Sequence, residues 1–190
     1  MSQEWNVAVV VGSLRKDSYN RKMAHALCRM APPSLHCEIV EIRDLPLYNQ
    51  DDDANPPAPS VAFKARIEKA QAVLFVTPEY NRSVPGVLKN AIDIASRPYG
   101  KSAWNSKPCA IVSVSPGAIG GFGANHALRQ SLVFLNMPAL QQPEAYIGGA
   151  AELFDAQGNF AKDSTREFMK KFMDAFVTWI DHNAIAPATR

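Results

Sequence analysis

The sequence predicts an α/β sandwich: a doubly wound, parallel five-stranded sheet of order 2-1-3-4-5 with helices on both faces. Three observations carry this. Val7–Val11 and Ala72–Val76 are wholly apolar, and Cys109–Val114 is broken only by Ser113. Such short apolar runs mark strands buried on both faces, the parallel-sheet pattern. Stretches with apolar residues at helical spacing follow each run. Strand–helix alternation along the whole chain then gives five β/α units, which right-handed crossovers arrange in few ways. At 190 residues the expectation is one domain spanning 1–190.

Taken in order, the first strand covers Trp5–Val11 and leads through a polar loop into a helix from Tyr19 to Ala31. Met23, Leu27 and Met30 share one face of that helix, and Pro32-Pro33 stops it. Cys37–Ile42 reads as the second strand. A long loop rich in Asp, Asn and Pro runs from Asp44 to Pro59, a length that suggests function or motion. Its Asp51-Asp52-Asp53 run has no His or further carboxylate spaced to complete a metal shell and reads as a solvated stretch. Phe63, Ile67 and Ala70 mark the next helix, Ala72–Val76 the third strand, and Leu88, Ala91, Ile92 and Ala95 the helix after it. The fourth strand, Cys109–Val114, precedes a helix from Ala124 with Leu128, Leu132 and Leu135. A last strand lies within Ala139–Ile147. The final helix, Thr165–His182, carries Phe168, Phe172, Ala175, Phe176 and Trp179 at helical spacing, a core stripe.

The totals exclude several classes. Net charge is +2 and the Lys and Arg residues are scattered, so nothing suggests a nucleic-acid surface. No apolar run approaches the ~20 residues of a membrane span. The polar start Met1-Ser2-Gln3-Glu4 does not resemble a signal peptide. Three cysteines, Cys28, Cys37 and Cys109, are odd in number and lack C-x-x-C spacing, which suits a reducing compartment. A cytoplasmic location is the expectation. His25, His36, His126 and His182 are too dispersed for a metal motif and read as structural.

Chemistry concentrates in three loops, each directly after a strand. Gly12-Ser13-Leu14-Arg15-Lys16-Asp17-Ser18-Tyr19-Asn20 combines free backbone N–H groups at a helix start with two hydroxyls, an amide and a cation. That is a phosphate site, although Asp17 or Ser18 also serves as an ordinary helix cap. Pro78-Glu79-Tyr80-Asn81-Arg82 is a stiff rim with an aromatic face. Ser115-Pro116-Gly117-Ala118-Ile119-Gly120-Gly121-Phe122-Gly123 is glycine-rich and admits a flat ligand close to the backbone. In the 2-1-3-4-5 order the parent strands are neighbours, so the loops converge at the carboxyl edge, where such sheets bind ligands. A planar ligand with a phosphate tail fits, and FMN is the natural candidate. A dinucleotide fingerprint needs G-x-G-x-x-G, and only Gly12 is present; a P-loop Gly-Lys-Ser/Thr is absent. A phospho-acceptor receiver shares the topology but needs acidic residues where this chain has Gly-Ser-Leu-Arg and Thr-Pro-Glu.

Gly12-Ser13-x-Arg15-x-x-Ser18-x-Asn20, with Pro78-Glu79-Tyr80-Asn81-x-Ser83-x-Pro85-Gly86-x-Leu88-Lys89-Asn90-Ala91-x-Asp93, resembles the NAD(P)H-dependent FMN reductase family, most of all its bacterial quinone, chromate and azo-dye reductases. The resemblance covers nearly the whole chain. It implies a flavodoxin-like three-layer sandwich, bound FMN, NADPH or NADH as hydride donor, and a homodimer that pairs into a homotetramer. By motif, Ser13, Arg15, Ser18 and Asn20, with Tyr19 among them, would hold the phosphate. Pro78, Glu79, Tyr80, Asn81 and Arg82 would line the isoalloxazine, and Ser115 with Gly117 would close its other edge. Asn125, where relatives often carry Gln, and Phe122, Gly123 and His126 depart from the pattern, which bears on substrate range and assembly.

The resulting expectation is an oxidoreductase passing electrons from NAD(P)H through FMN to quinones or similar small acceptors, with chromate, azo compounds and free flavin as further candidates. No protein nucleophile or general acid is required. The alternatives are a flavodoxin-type electron carrier, disfavoured because such carriers are acidic, and a flavin-binding interaction protein without NAD(P)H activity. The resemblance also suggests that Arg82 meets Glu144 across a subunit boundary.

Overall fold

The computed structural model describes residues 3–184; the ends of the expected 1–190 domain lie outside them. Five strands, β1 (Trp5–Val11), β2 (Leu35–Val40), β3 (Ala72–Thr77), β4 (Cys109–Val114) and β5 (Ala145–Ile147), form one sheet of order β2-β1-β3-β4-β5. Every pairing is parallel. The helices are α1 (Tyr19–Met30), α2 (Ala58–Lys69), α3 (Gly86–Ala95), α4 (Phe122–Phe134) and α5 (Asp163–Asn183).

Each face of the sheet carries its own core. On one side α1 and α5 bring Met23, Leu27, Phe172 and Phe176 against Val7, Val9, Leu74 and Val112. On the other, α2, α3 and α4 bring Phe63, Ile67, Leu88, Ile92, Leu128 and Leu132 against Ala8, Val10, Phe75 and Ile111. Burying each such side chain contributes about 1.5–3 kcal/mol, so the apolar strands hold the sheet in the middle layer. The aromatic stripe of α5 divides accordingly: Phe172 and Phe176 are buried, while the half-buried Trp179 donates its indole N–H to Pro138 O at 2.8 Å.

Several boundaries differ from the expectation. β2 begins at Leu35, not Cys37, because Leu35 pairs with Trp5 and packs into the core; exposed His36 and Glu38 disguise this edge strand. It ends at Val40, leaving the buried Ile42 in the following loop. α1 ends one residue early, before Ala31, whose ψ of 138° is not helical. α4 begins at Phe122, where Gly121 at φ 77° turns the chain into the helix.

The long loop after β2 is anchored. Asn90 of α3 accepts from Tyr48 N at 2.8 Å and donates to Pro46 O at 2.8 Å, and the Arg97 guanidinium lies over the Tyr48 ring. Lys89 and Asp93 pair along α3 at 2.8 Å. These three polar residues of the second motif thus serve the scaffold in this structure.

Candidate active site

The loops after β1, β3 and β4 leave neighbouring strands at one edge of the sheet. Gly12 makes the first departure possible: its N–H donates to Val76 O at 2.9 Å, and a Cβ there would meet Thr77 Oγ1 at 2.7 Å. Ser13, Ser18 and Asn20 are buried, at 5%, 3% and 3% exposure. Ser18 is the N-cap of α1, its hydroxyl oxygen accepting from Arg21 N at 3.2 Å; its own proton stays free to donate. Asn20 Nδ2 donates to Val114 O at 3.2 Å, tying the start of α1 to the end of β4. Its Oδ1 is buried without a partner. A flipped amide would set two oxygens face to face, so Asn20 presents an acceptor here. That suits a ligand hydroxyl, such as one on the ribityl chain of FMN, and not a phosphate oxygen. Arg15 is exposed and Tyr19 half-buried beneath the Lys22 ammonium.

Two residues beside this loop escaped the sequence reading. Arg43 donates to Leu14 O at 2.6 Å, and Glu41 accepts two hydrogen bonds from Arg21, at 2.8 and 2.6 Å. Both follow β2, whose carboxyl end lies beside that of β1. Only the strand order could have found them.

The second loop is a tight hairpin. Tyr80 and Ser83 exchange backbone hydrogen bonds at 3.2 and 3.0 Å, with Asn81 at φ 50° and Arg82 at φ 64° between them. Two successive positive φ values describe a type I′ turn. Pro78 is half-buried, while the Tyr80 ring is 49% exposed and stands at the rim. The Glu79 carboxylate turns to the start of α4 and accepts from Ala124 N at 3.1 Å, and Arg82 Nη1 lies 3.6 Å from Glu79 Oε1. Arg82 therefore has a carboxylate neighbour inside its own chain.

In the third loop Ser115 Oγ accepts from Gly117 N at 3.2 Å. The Ser115 backbone bonds Ile147 O and Ala150 N, fixing the loop to β5 and the turn beyond it. Next to it His126 Nε2 lies 2.9 Å from the Tyr146 hydroxyl, and the Phe122 and His126 rings are 4.1 Å apart. Burial, followed by the neighbouring Glu144 carboxylate, pushes the Tyr146 hydroxyl up to about 12, so it keeps its proton at neutral pH. Tyr146 was not singled out in the sequence, because its strand has only three residues and shows no pattern.

The structure thus brings Ser13, Ser18, Asn20, Glu79, Tyr80, Ser115 and Gly117 to one edge, with Arg15 and Arg82 on its solvent side. Among the described residues no group of His, Cys, Asp and Glu side chains could hold a metal ion. The buried hydroxyls, the unpartnered amide oxygen and the exposed aromatic rim fit a flat, phosphate-tailed group such as FMN.

Comparison with known proteins agrees with this geometry. A quinone reductase of Pseudomonas putida is 65% identical over 184 residues, 96% of this chain and 98% of the relative. A 2-hydroxy-1,4-benzoquinone reductase of a Burkholderia species is 48% identical over 174 residues, 92% of this chain and 95% of the relative. The solved structure of FerB, a flavoenzyme NAD(P)H:(acceptor) oxidoreductase of Paracoccus denitrificans, superposes with a TM-score of 0.90 at 45% identity, over 95% of this chain and 100% of that one. Residues 5–152 match the family described as NADPH-dependent FMN reductase, and with the flavodoxin-like sheet and its three converging loops the chain belongs to that family.

Proposed function

We propose that the protein carries electrons from NAD(P)H to quinones or similar small acceptors at one FMN site on the carboxyl edge of its sheet. The observation that carries this is the meeting of buried Ser13, Ser18 and unpartnered Asn20 Oδ1 with the rim of the β3 and β4 loops. FMN is the cofactor and supplies the hydride-accepting ring. The chain binds, orients and shields. Ser13, Ser18 and Arg15 would hold the phosphate, Tyr19 would flank it, and Asn20 would accept from the ribityl chain. Pro78, Tyr80, Asn81 and Arg82 would border the ring on one side, and Ser115 and Gly117 on the other. Backbone N–H groups of these loops would stabilise negative charge developing there. Glu79 would act by fastening the loops to each other.

The reading extends to assembly and place. Tyr99, Val133 and Phe134 are 83%, 80% and 82% exposed, unusually bare for large apolar groups, which supports a homodimer or homotetramer. Among the described residues no helix is long and apolar enough to cross a membrane. Action in the cytoplasm, by the whole chain as one domain, completes the proposal. The test is the visible spectrum of the purified protein, its bleaching by NADPH and its recovery on adding a small quinone. A protein that stays colourless with added FMN, or a spectrum indifferent to both NADPH and NADH, would sink the reading.

A further inference from the structure

The long loop after β2 walls a cavity to which none of the three flavin loops contributes. Leu47 and Tyr48 from the loop, Val61 and Ala65 from α2, and Ile94 and Pro98 at and beyond the end of α3 line a space of about 260 Å³. An apolar cavity of about 150 Å³ takes up benzene, and pockets for drug-sized ligands begin near about 300 Å³, so one ring or two fused rings fit. Leu47 and Val61 are 85% and 50% exposed and form an apolar mouth. The walls are held in place before any ligand arrives. Asn90 Oδ1 accepts from Tyr48 N at 2.8 Å, the Tyr48 hydroxyl donates to Asp53 Oδ1 at 3.2 Å, and Lys64 Nζ donates to Arg97 O at 2.6 Å. We propose that this cavity is a second small-molecule site, which takes neutral phenols of one or two rings.

The polar groups select that class. Ser60 lines the cavity and is only 7% exposed, and its hydroxyl has no protein partner among the described residues. A buried hydroxyl left unpaired is costly, and a ligand oxygen would pair it. Most charges around the cavity are already engaged. Asp53 takes the Tyr48 hydroxyl, Glu68 lies 4.0 Å from the Lys64 ammonium, and the Arg97 guanidinium lies over the Tyr48 ring. Half-buried Asp52 lines the cavity, and its carboxylate accepts no hydrogen bond from a described residue. A phenol O–H can donate to that carboxylate, while a phenol oxygen accepts from Ser60. A carboxylate ligand would meet Asp52, and an ammonium ligand would meet Arg97 and Lys64. Each would bring like charges together in a confined space, which leaves the neutral ring with hydroxyls as the best match.

The experiment titrates the FMN-loaded protein calorimetrically with 2,7-dihydroxynaphthalene. The expected result is one site per chain, with the flavin absorption unchanged. Ala65→Trp, which fills the cavity, should abolish the binding heat while FMN content stays that of wild type. Ser60→Ala and Asp52→Ala should each weaken binding roughly threefold to tenfold, the worth of one hydrogen bond, and 2,7-dimethoxynaphthalene, which cannot donate, should bind more weakly than the diol. Absence of binding overturns the proposal. So does binding that perturbs the flavin spectrum and survives in Ala65→Trp, because the diol is then stacked on the ring. Equal affinity for the dimethoxy compound removes the role of the hydroxyls, and dissociation of an oligomer by Ala65→Trp means that a second copy covers the cavity; either overturns it. Should Ala65→Trp fail to fold, the two alanine variants decide, and wild-type affinity in both overturns the proposal.

Discussion

The Glu79 carboxylate accepts the backbone N–H of Ala124 at 3.1 Å. Helix α4 has no side-chain cap of its own, because Gly121 precedes it, and Glu79 reaches across from the β3 loop to take that part. Negative charge at a helix start is favoured by the helix dipole as well as by the hydrogen bond. Gly123 makes the approach possible: a Cβ there would stand 2.9 Å from Glu79 Oε2 and 2.9 Å from Arg82 O. Gly123 thus lets the second and third loops behave as one piece.

Removing this clamp should therefore be felt in both loops. Glu79→Ala should cost about 1.5–3 kcal/mol of unfolding free energy, the worth of a hydrogen bond to a charged group, and should weaken FMN as well. Glu79→Gln keeps an acceptor and should cost less. Denaturant unfolding and flavin titration measure both; an alanine variant with wild-type values in each would leave the Glu79–Ala124 bond without consequence.

Arg82 occupies φ 64°, a conformation that costs an L residue roughly 1–2 kcal/mol. Its ion pair with Glu79 is 3.6 Å long and the guanidinium is 74% exposed, worth less than about 1 kcal/mol. Arg82→Gly should then leave stability within about 1 kcal/mol of wild type, because relief of strain offsets the lost pair and the extra chain entropy. Arg82→Val should lose at least about 1 kcal/mol more, since a branched Cβ tolerates positive φ worst. Equal unfolding midpoints for the two variants would mean that the turn is not strained.

Arg15 and Ser18 separate binding from folding. Arg15 is exposed, so Arg15→Ala should weaken FMN by about 1.5–3 kcal/mol and change the unfolding of the apoprotein by no more than ~0.5 kcal/mol. Ser18 caps α1 at 3.2 Å, so Ser18→Ala should lower apoprotein stability by about 1 kcal/mol in addition to weakening FMN. Should Ser18→Ala leave the apoprotein untouched, the cap is idle; should Arg15→Ala leave FMN untouched, the guanidinium faces water.

The central sheet was legible because its strands are short and apolar on both faces. β1 and β4 were read with their observed limits, and β3 lacked only Thr77, a buried polar residue at the site edge. β2 slipped by two residues since an edge strand alternates: His36 and Glu38 point outward between Leu35, Cys37 and Ile39. The polar side chains of the first loop, Ser13, Arg15, Ser18 and Asn20, stand together in the sequence, but the orientation of Asn20 depends on Val114 of a distant strand. The hairpin at Asn81-Arg82 was hidden because its second central residue is not glycine, the usual signal. Glu79, Arg43 and Tyr146 act through partners far along the chain, which no local pattern announces.

Donor and acceptor should use the same space over the ring. The rim is a single edge bounded by Tyr80 and the β4 loop. Initial rates at several fixed quinone levels should give parallel double-reciprocal lines. Intersecting lines would mean that NAD(P)H and quinone bind together.

Acid should weaken the contact that flanks the first loop. The hydrogen bonds from Arg21 hold the Glu41 carboxyl below the ordinary carboxylate range, against a smaller opposing effect of burial, with Arg21, Arg43 and His25 adding electrostatic support. Because the folded value is depressed, the pair stabilises the fold above the unfolded value of about 4.3. That contribution is lost as pH falls through the lower, folded value. Arg21 is raised by the same bonds but titrates far above this window. The carboxylate is 56% exposed and the guanidinium 27%, so solvent screening limits the pair to less than about 1 kcal/mol. Glu41→Gln should accordingly destabilise the protein by less than about 1 kcal/mol at neutral pH, and the difference should vanish near pH ~3, where Glu41 is protonated in the unfolded chain and increasingly so in the folded one. Urea unfolding of both proteins at the two pH values measures this. A difference that persists undiminished in acid would assign the effect to packing or to neutral hydrogen bonding, and not to the charge on Glu41.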